Sequence, residues 1–172
     1  MKLIAALLAG GLWMDMASAA PMAPFTSIDG GELSVADWAG RPVLVVNTAS
    51  RCGFTRQYDD MQALYDRYRD RGLVVLAVPS GDFRQEFATA EEVSEFCAVN
   101  FDLTLPMTDI TRVKGAGAHP FYAWVKAETG FVPAWNFNKV LIAPDGHVAG
   151  HWGAGTTPLS RSITEAVEAL LN

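Results

Sequence analysis

Val43-Leu44-Val45-Val46-Asn47 is a short, uninterrupted apolar run, mostly β-branched and entered through Pro42. Such a run suits a strand buried on both faces of a sheet. Beyond Cys52-Gly53, apolar or aromatic residues fall at Tyr58, Met61, Leu64, Tyr65 and Tyr68, in steps of three, three, one and three. Those steps trace one face of a helix, which Gly72 ends. Leu73 to Val78 is a second buried-strand run, stopped by Pro79. Strand, helix, strand of this kind is the core of a parallel α/β unit.

Working outward, Phe25-Thr26-Ser27-Ile28, a turn at Asp29-Gly30-Gly31, and Glu32-Leu33 predict an N-terminal hairpin. Thr89-Ala90-Glu91-Glu92 has the form of a capping box and opens a helix running to about Asn100. Leu103 to Met107 is a candidate short strand, and Pro120 to Lys126 a short helix begun by its proline. Lys139 to Ala143 and His147 to Trp152 flank the turn Pro144-Asp145-Gly146. Pro158 to Leu171 reads as a closing amphipathic helix. The order predicts one three-layer α/β domain with a central mixed sheet flanked by helices.

The composition agrees with a compact domain and excludes several functions. The chain has 172 residues, half of them hydrophobic, and a net charge of −6. That rules out disorder and argues against nucleic-acid binding, which favours a basic surface. With two cysteines, a closed zinc site of four cysteines, or of three and a histidine, cannot form. The first residues are read separately. Met1-Lys2, the apolar run Leu3 to Trp13 and Ala17-Ser18-Ala19 have the form of a signal peptide cut after Ala19. The run is too short to span a bilayer. Export to the periplasm or exterior is therefore expected, with residues 20–172 as the mature domain and no stable membrane insertion.

Cys52 stands where the first buried strand gives way to its helix. Unpaired amides and the positive end of a helix dipole would favour its thiolate, and a loop at a strand end would leave the sulfur near the surface. Arg51 is adjacent and could add positive charge, though its side chain need not point toward the sulfur. An inert buried thiol is the alternative on composition alone.

The flanking residues carry a resemblance. Asn47-Thr48-Ala49-Ser50-Arg51-Cys52-Gly53-Phe54-Thr55, with Gln57-Tyr58, closely resembles the redox-centre signature of the glutathione peroxidase family. Trp135-Asn136-Phe137-Asn138-Lys139 is similar to that family's second signature, and Arg84-Gln85-Glu86 to its Gly-x-Gln-Glu-Pro segment. The resemblance runs from about Phe25 to Leu170. It implies a thioredoxin-like fold and a catalytic group of Cys52, Gln85, Trp135 and Asn136. It also implies thiol peroxidase chemistry without a cofactor. A Cys52 thiolate attacks a hydroperoxide oxygen and becomes a sulfenic acid, while amide and indole N–H groups steady the charge. In cysteine-dependent members, a second cysteine in the following helix attacks that sulfenic acid. Cys97 matches it here, which implies an intramolecular disulfide and a thioredoxin-like protein, rather than glutathione, as reductant.

Two departures from the family pattern bear on the site. The family's Phe-Pro-Cys-Asn-Gln-Phe-Gly segment appears as Val78-Pro79-Ser80-Gly81-Asp82-Phe83, one residue short, and Phe87 replaces a proline. Gln85 is preferred over Asp82 as the site residue, since a carboxylate beside a thiolate would raise its pKa. The short segment between Lys126 and Trp135 resembles that of family members lacking the oligomer-forming insertion, and the resemblance implies a monomer. Two readings stand beside the enzyme: a peroxide-sensing thiol relay, and an exported domain with a structural disulfide. A thioredoxin-type disulfide oxidoreductase is a third rival, but it would want Cys-x-x-Cys, and position 55 is Thr55. His147 and His151 lack an evident third metal ligand, and His119 is read as a turn or capping residue.

Overall fold

The structure is a computed structural model that describes residues 23–171; the candidate signal peptide lies outside the described residues. Strands β3 (Val43–Thr48) and β4 (Val74–Pro79) are buried at every position. They pair in parallel from Val43 opposite Val74 to Thr48 opposite Pro79. Parallel partners need a crossover, supplied here by helix α1 (Gln57–Tyr68). A short 3-10 turn, Arg69–Arg71, follows it, and Gly72 at φ 108° closes the unit in a conformation few other residues adopt.

Strand β5 (Lys139–Ile142) lies antiparallel on the other side of β3, and β6 (Val148–Trp152) antiparallel on β5. The resulting order β4-β3-β5-β6 is the expected mixed sheet. A separate antiparallel hairpin, β1 (Phe25–Thr26) with β2 (Glu32–Leu33), forms the N-terminus of the described chain.

Alternation along the strands divides the core in two. Leu44, Val46, Val75, Ala77 and Leu141 meet Tyr58, Met61 and Leu64 of α1 and Ile163 and Val167 of α4 (Arg161–Glu168). Val43, Val45, Leu76, Val140 and Ile142 meet Phe121, Tyr122 and Val125 of α3 (Pro120–Thr129). Full burial of each aliphatic side chain is worth about 1.5–3 kcal/mol, more than any local helix preference here supplies. The layers are therefore held by the sheet faces.

Helix α2 (Ala90–Phe101) is different. Thr89 accepts from the Glu92 amide and Glu92 reaches back, so the predicted capping box forms. Only Val93 and Cys97 of its twelve residues are buried. It is well started and weakly anchored.

Three elements depart from expectation. Leu103 to Met107 is not a strand. Pro106 has no N–H to donate, so contact with β4 shrinks to a bridge between Met107 and Ala77, beside one between Thr108 and Ser27. Helix α3 runs on to Thr129, ended by Gly130 at φ 74°. Helix α4 begins only at Arg161, because Pro158 and Leu159 form a turn. His119 does cap α3, its ring accepting from the Phe121 amide. Among the described residues, no helix is long and apolar enough to cross a membrane.

Candidate active site

Cys52 sits in a run of turns, five residues before α1 begins. The Thr55 amide donates to its carbonyl at 3.1 Å, and the Phe54 amide points at its sulfur at 3.5 Å. That single turn amide is what reaches the sulfur; the helix start lies further on. The thiol is also only 5% exposed, so the expectation of a sulfur near the surface is corrected. The turns bury Cys52, while the neighbouring Phe54 is itself 40% exposed. Arg51 is engaged by an aromatic ring. Its guanidinium stacks 4.4 Å above the Phe87 ring. The residue that replaces the family's proline thus holds the arginine.

Two bonds fasten this turn to the loop after β4. The Arg51 amide donates to the Gln85 carbonyl at 2.8 Å, and the Ser50 amide to Glu86 Oε1 at 3.0 Å. Gln85 is therefore carried alongside Cys52 although its loop is one residue short. Arg84 absorbs the shortening by taking φ 59°, a costly conformation for a side chain of its size. Asp82 turns away, and its Oδ2 accepts the Val113 and Lys114 amides at 2.7 and 3.1 Å.

The third component is the turn before β5. Asn47, at the end of the first apolar run, donates from its side chain to the Trp135 carbonyl at 2.9 Å and accepts the Asn138 amide at 3.1 Å. The Phe137 amide donates to the Asn47 carbonyl, with Phe137 held at φ 60°. These bonds bury Asn136 completely and aim its amide at Gln85, whose Oε1 accepts from it at 2.9 Å. Trp135 remains 41% exposed, its ring packed on Phe83 at 5.5 Å. Gln85 and Asn136 are thus joined directly, with Cys52 and Trp135 on the adjoining segments.

Cys97 is buried on α2, and both cysteines are free thiols. Burial pushes its thiol up to about 11, against a lowering contribution from the Tyr58 hydroxyl. That hydroxyl lies against Cys97 and Thr48 without a hydrogen bond of normal geometry. Glu86 completes the cluster. Burial raises its pKa, although the Ser50 and Phe87 amides both favour its charged form. Sequence reading quoted Tyr58 and Glu86 within two of the motifs but gave them no role at the site, because nothing along the chain places either beside Cys97.

The two histidines have separate partners. His147 bonds Asp145 at 2.5 Å, and His151 stacks on Phe131 at 4.4 Å. Among the described residues, no group of three or more potential ligands could hold a metal ion.

The family model for glutathione peroxidase matches residues 23–126. The chain belongs to the glutathione peroxidase family. This peroxidase is 37% identical over 150 residues to the glutathione peroxidase of Lactococcus lactis subsp. cremoris, covering 84% of the chain and 94% of that protein. It is 35% identical to the hydroperoxy fatty acid reductase of a Synechocystis strain, with 84% and 91% covered. To the glutathione peroxidase-like peroxiredoxin HYR1 of Saccharomyces cerevisiae it is 37% identical, with 77% and 83% covered. Among solved structures, that of Trgpx in apo form matches with a TM-score of 0.68 and 30% identity, over 91% of the peroxidase and all of that chain. A thioredoxin-family thiol:disulfide interchange protein from Chlorobium tepidum matches at 0.67 and 17% identity, over 91% and 97%. The peroxidase is an oxidoreductase with a thioredoxin-like fold.

Proposed function

We propose that this peroxidase reduces hydrogen peroxide or organic hydroperoxides through Cys52. The Cys52 thiolate attacks one peroxide oxygen and the O–O bond breaks. The distal oxygen leaves with a proton as water or alcohol, and Cys52 becomes a sulfenic acid. The observation that carries the assignment is the Asn136 to Gln85 bond, which unites residues 51 apart in sequence beside the Cys52 turn. Because Gln85 Oε1 is occupied by Asn136, the Gln85 amide N–H groups remain to face a thiolate or a departing oxygen. The Trp135 indole N–H is the third donor of the group.

Cys97 then attacks the sulfenic acid. Its sulfur bonds to that of Cys52 and its thiol proton leaves with the hydroxyl as water. A thioredoxin-like protein reduces the disulfide by exchange; glutathione is the less suited reductant for a two-cysteine cycle. The peroxidase acts as a monomer after export and removal of residues 1–19. N-terminal sequencing of the exported protein is expected to begin at Ala20; an intact Met1 would overturn export by cleavage.

The direct test adds one equivalent of hydroperoxide to the reduced protein and counts thiols. Both thiols are expected to disappear, with a Cys52–Cys97 peptide pair found by mass spectrometry. Thioredoxin is expected to restore them faster than glutathione. Loss of no thiol would sink the reading.

Asn136→Ala removes the group that orients Gln85. Oxidation of Cys52 is expected to slow by about ten- to a hundredfold. The fold is expected to lose only about 1 kcal/mol for the missing hydrogen bond. Rapid-mixing kinetics and chemical denaturation on the same preparation separate the two effects.

A further inference from the structure

Lys139 is fully buried in β5, a rare place for an ammonium group. Each of its N–H bonds has an acceptor: Gln57 Oε1, the Phe137 carbonyl at 2.7 Å and the Thr156 carbonyl at 2.6 Å. Gln57, also buried, donates its own amide N–H to the Ala154 carbonyl at 2.7 Å. One ammonium and one amide therefore tie three segments together. These are the first residue of α1, which follows the Cys52 turn; the left-handed Phe137, which follows Asn136; and the loop joining β6 to α4.

The chemistry of the three acceptors matters. An ammonium has three donors and no lone pair, which matches three oxygens. A neutral amine has two donors and a lone pair, so one oxygen would be left facing another lone pair. The charged group that acts on Lys139 is Asp60 of α1, itself beside Asp59. The Phe137 turn and the 154–156 loop hold Lys139 and Gln57 through main-chain oxygens. Burial outweighs Asp60 and brings Lys139 down to about 8.

We infer that Lys139 is a positioning residue for peroxide reduction, whose ammonium sets the Cys52 turn and Asn136 in register through Gln57 and the Phe137 carbonyl. Loss of one proton from it breaks that register. The inference rests on the assignment of Cys52 and Asn136 proposed above.

The test is the rate of Cys52 oxidation by hydrogen peroxide between pH 6 and 9.5, as an order-of-magnitude span around the ordinary thiol range. Wild type, Lys139→Met and Gln57→Glu are compared, with a thermal melt of each. In the wild type the rate is expected to fall above about pH 8 as the ammonium loses its proton. Gln57→Glu places a carboxylate on the ammonium and is expected to move the falling limb to higher pH. Lys139→Met is expected to lack that limb and to react about tenfold slower at neutral pH. A residue that served stability alone would lower the melting temperature without moving the limb.

A wild type without a falling limb, or a Lys139→Met variant that keeps it or reacts at the wild-type rate, would overturn the inference. Should Lys139→Met fail to fold, an unmoved limb in Gln57→Glu overturns it alone. A wild type whose Cys52 does not react with peroxide at all removes the underlying assignment instead, so the two failures are distinct.

Discussion

Cys52→Ser is expected to lose peroxide reduction by at least about a thousandfold, since a serine hydroxyl offers no comparable nucleophile at neutral pH. The measurement is stopped-flow tryptophan fluorescence of the reduced protein mixed with hydrogen peroxide. Trp135 lies on the turn that also carries Asn136, so it is the natural reporter, with Trp135→Phe identifying its signal among the five tryptophans. The wild type is expected to show a fast peroxide-dependent phase, absent from Cys52→Ser. Cys97→Ser is expected to keep that phase and lose a second, slower one. A rate no better than free cysteine, or a Cys52→Ser variant that keeps the fast phase, would return the chain to a structural role. Fast oxidation with slow turnover by every reductant, together with rapid transfer to one partner protein, would favour the sensing relay.

The second large effect concerns closure of the disulfide. A thiol held near 11 is ionised to only about one part in ten thousand at pH 7. Releasing Cys97 from its burial returns it toward the ordinary value of 9.0, a gain of roughly a hundredfold in thiolate. Opening of α2 before attack is therefore the expected route provided that opening costs less than this gain, and two observations make it accessible. The helix buries only Val93 and Cys97, and it ends at Asp102 in a left-handed conformation. The rate of the second phase is expected to rise tenfold per pH unit and level off near 9.0, the ordinary value for an opened thiol. A log-linear rise continuing past about pH 10 would mean attack from the buried state, and would refute the opening step.

The folded environment raises the Cys97 pKa, so it favours the thiol. Above an ordinary value of 9.0 the opened helix loses a proton that the packed one retains until about 11. Alkaline pH across that window promotes opening. Thr89→Ala should act in the same direction at neutral pH, because removing the cap costs α2 about 1 kcal/mol. Disulfide formation is expected to accelerate by up to about fivefold, with faster amide exchange confined to residues 90–101. A slower second phase in Thr89→Ala would contradict it.

Much of this molecule was legible along the chain. The strands β3 and β4 are strongly apolar runs, and burial on both faces leaves such a run few alternatives. The helix α1 announced itself by spacing, and α2 by the Thr89–Glu92 cap, because both signals are local. The candidate site residues were named by motif alone. The strand expected over Leu103 to Met107 failed because a single proline interrupts hydrogen bonding that composition does not reveal.

Tertiary structure decided the rest. It buried Cys52, sent Arg51 onto Phe87 and turned Asp82 away to the Val113 and Lys114 amides. None of these follows from spacing, since each depends on which distant main-chain donor or ring a side chain meets. Lys139 is the sharpest case. In the sequence it is the polar end of a motif and the start of a strand. In the fold it is a buried ammonium among three oxygens drawn from three separate segments. Local pattern determines which residues form strands and helices, because it acts over a few residues. The partners of a buried charge are chosen by where the whole chain closes.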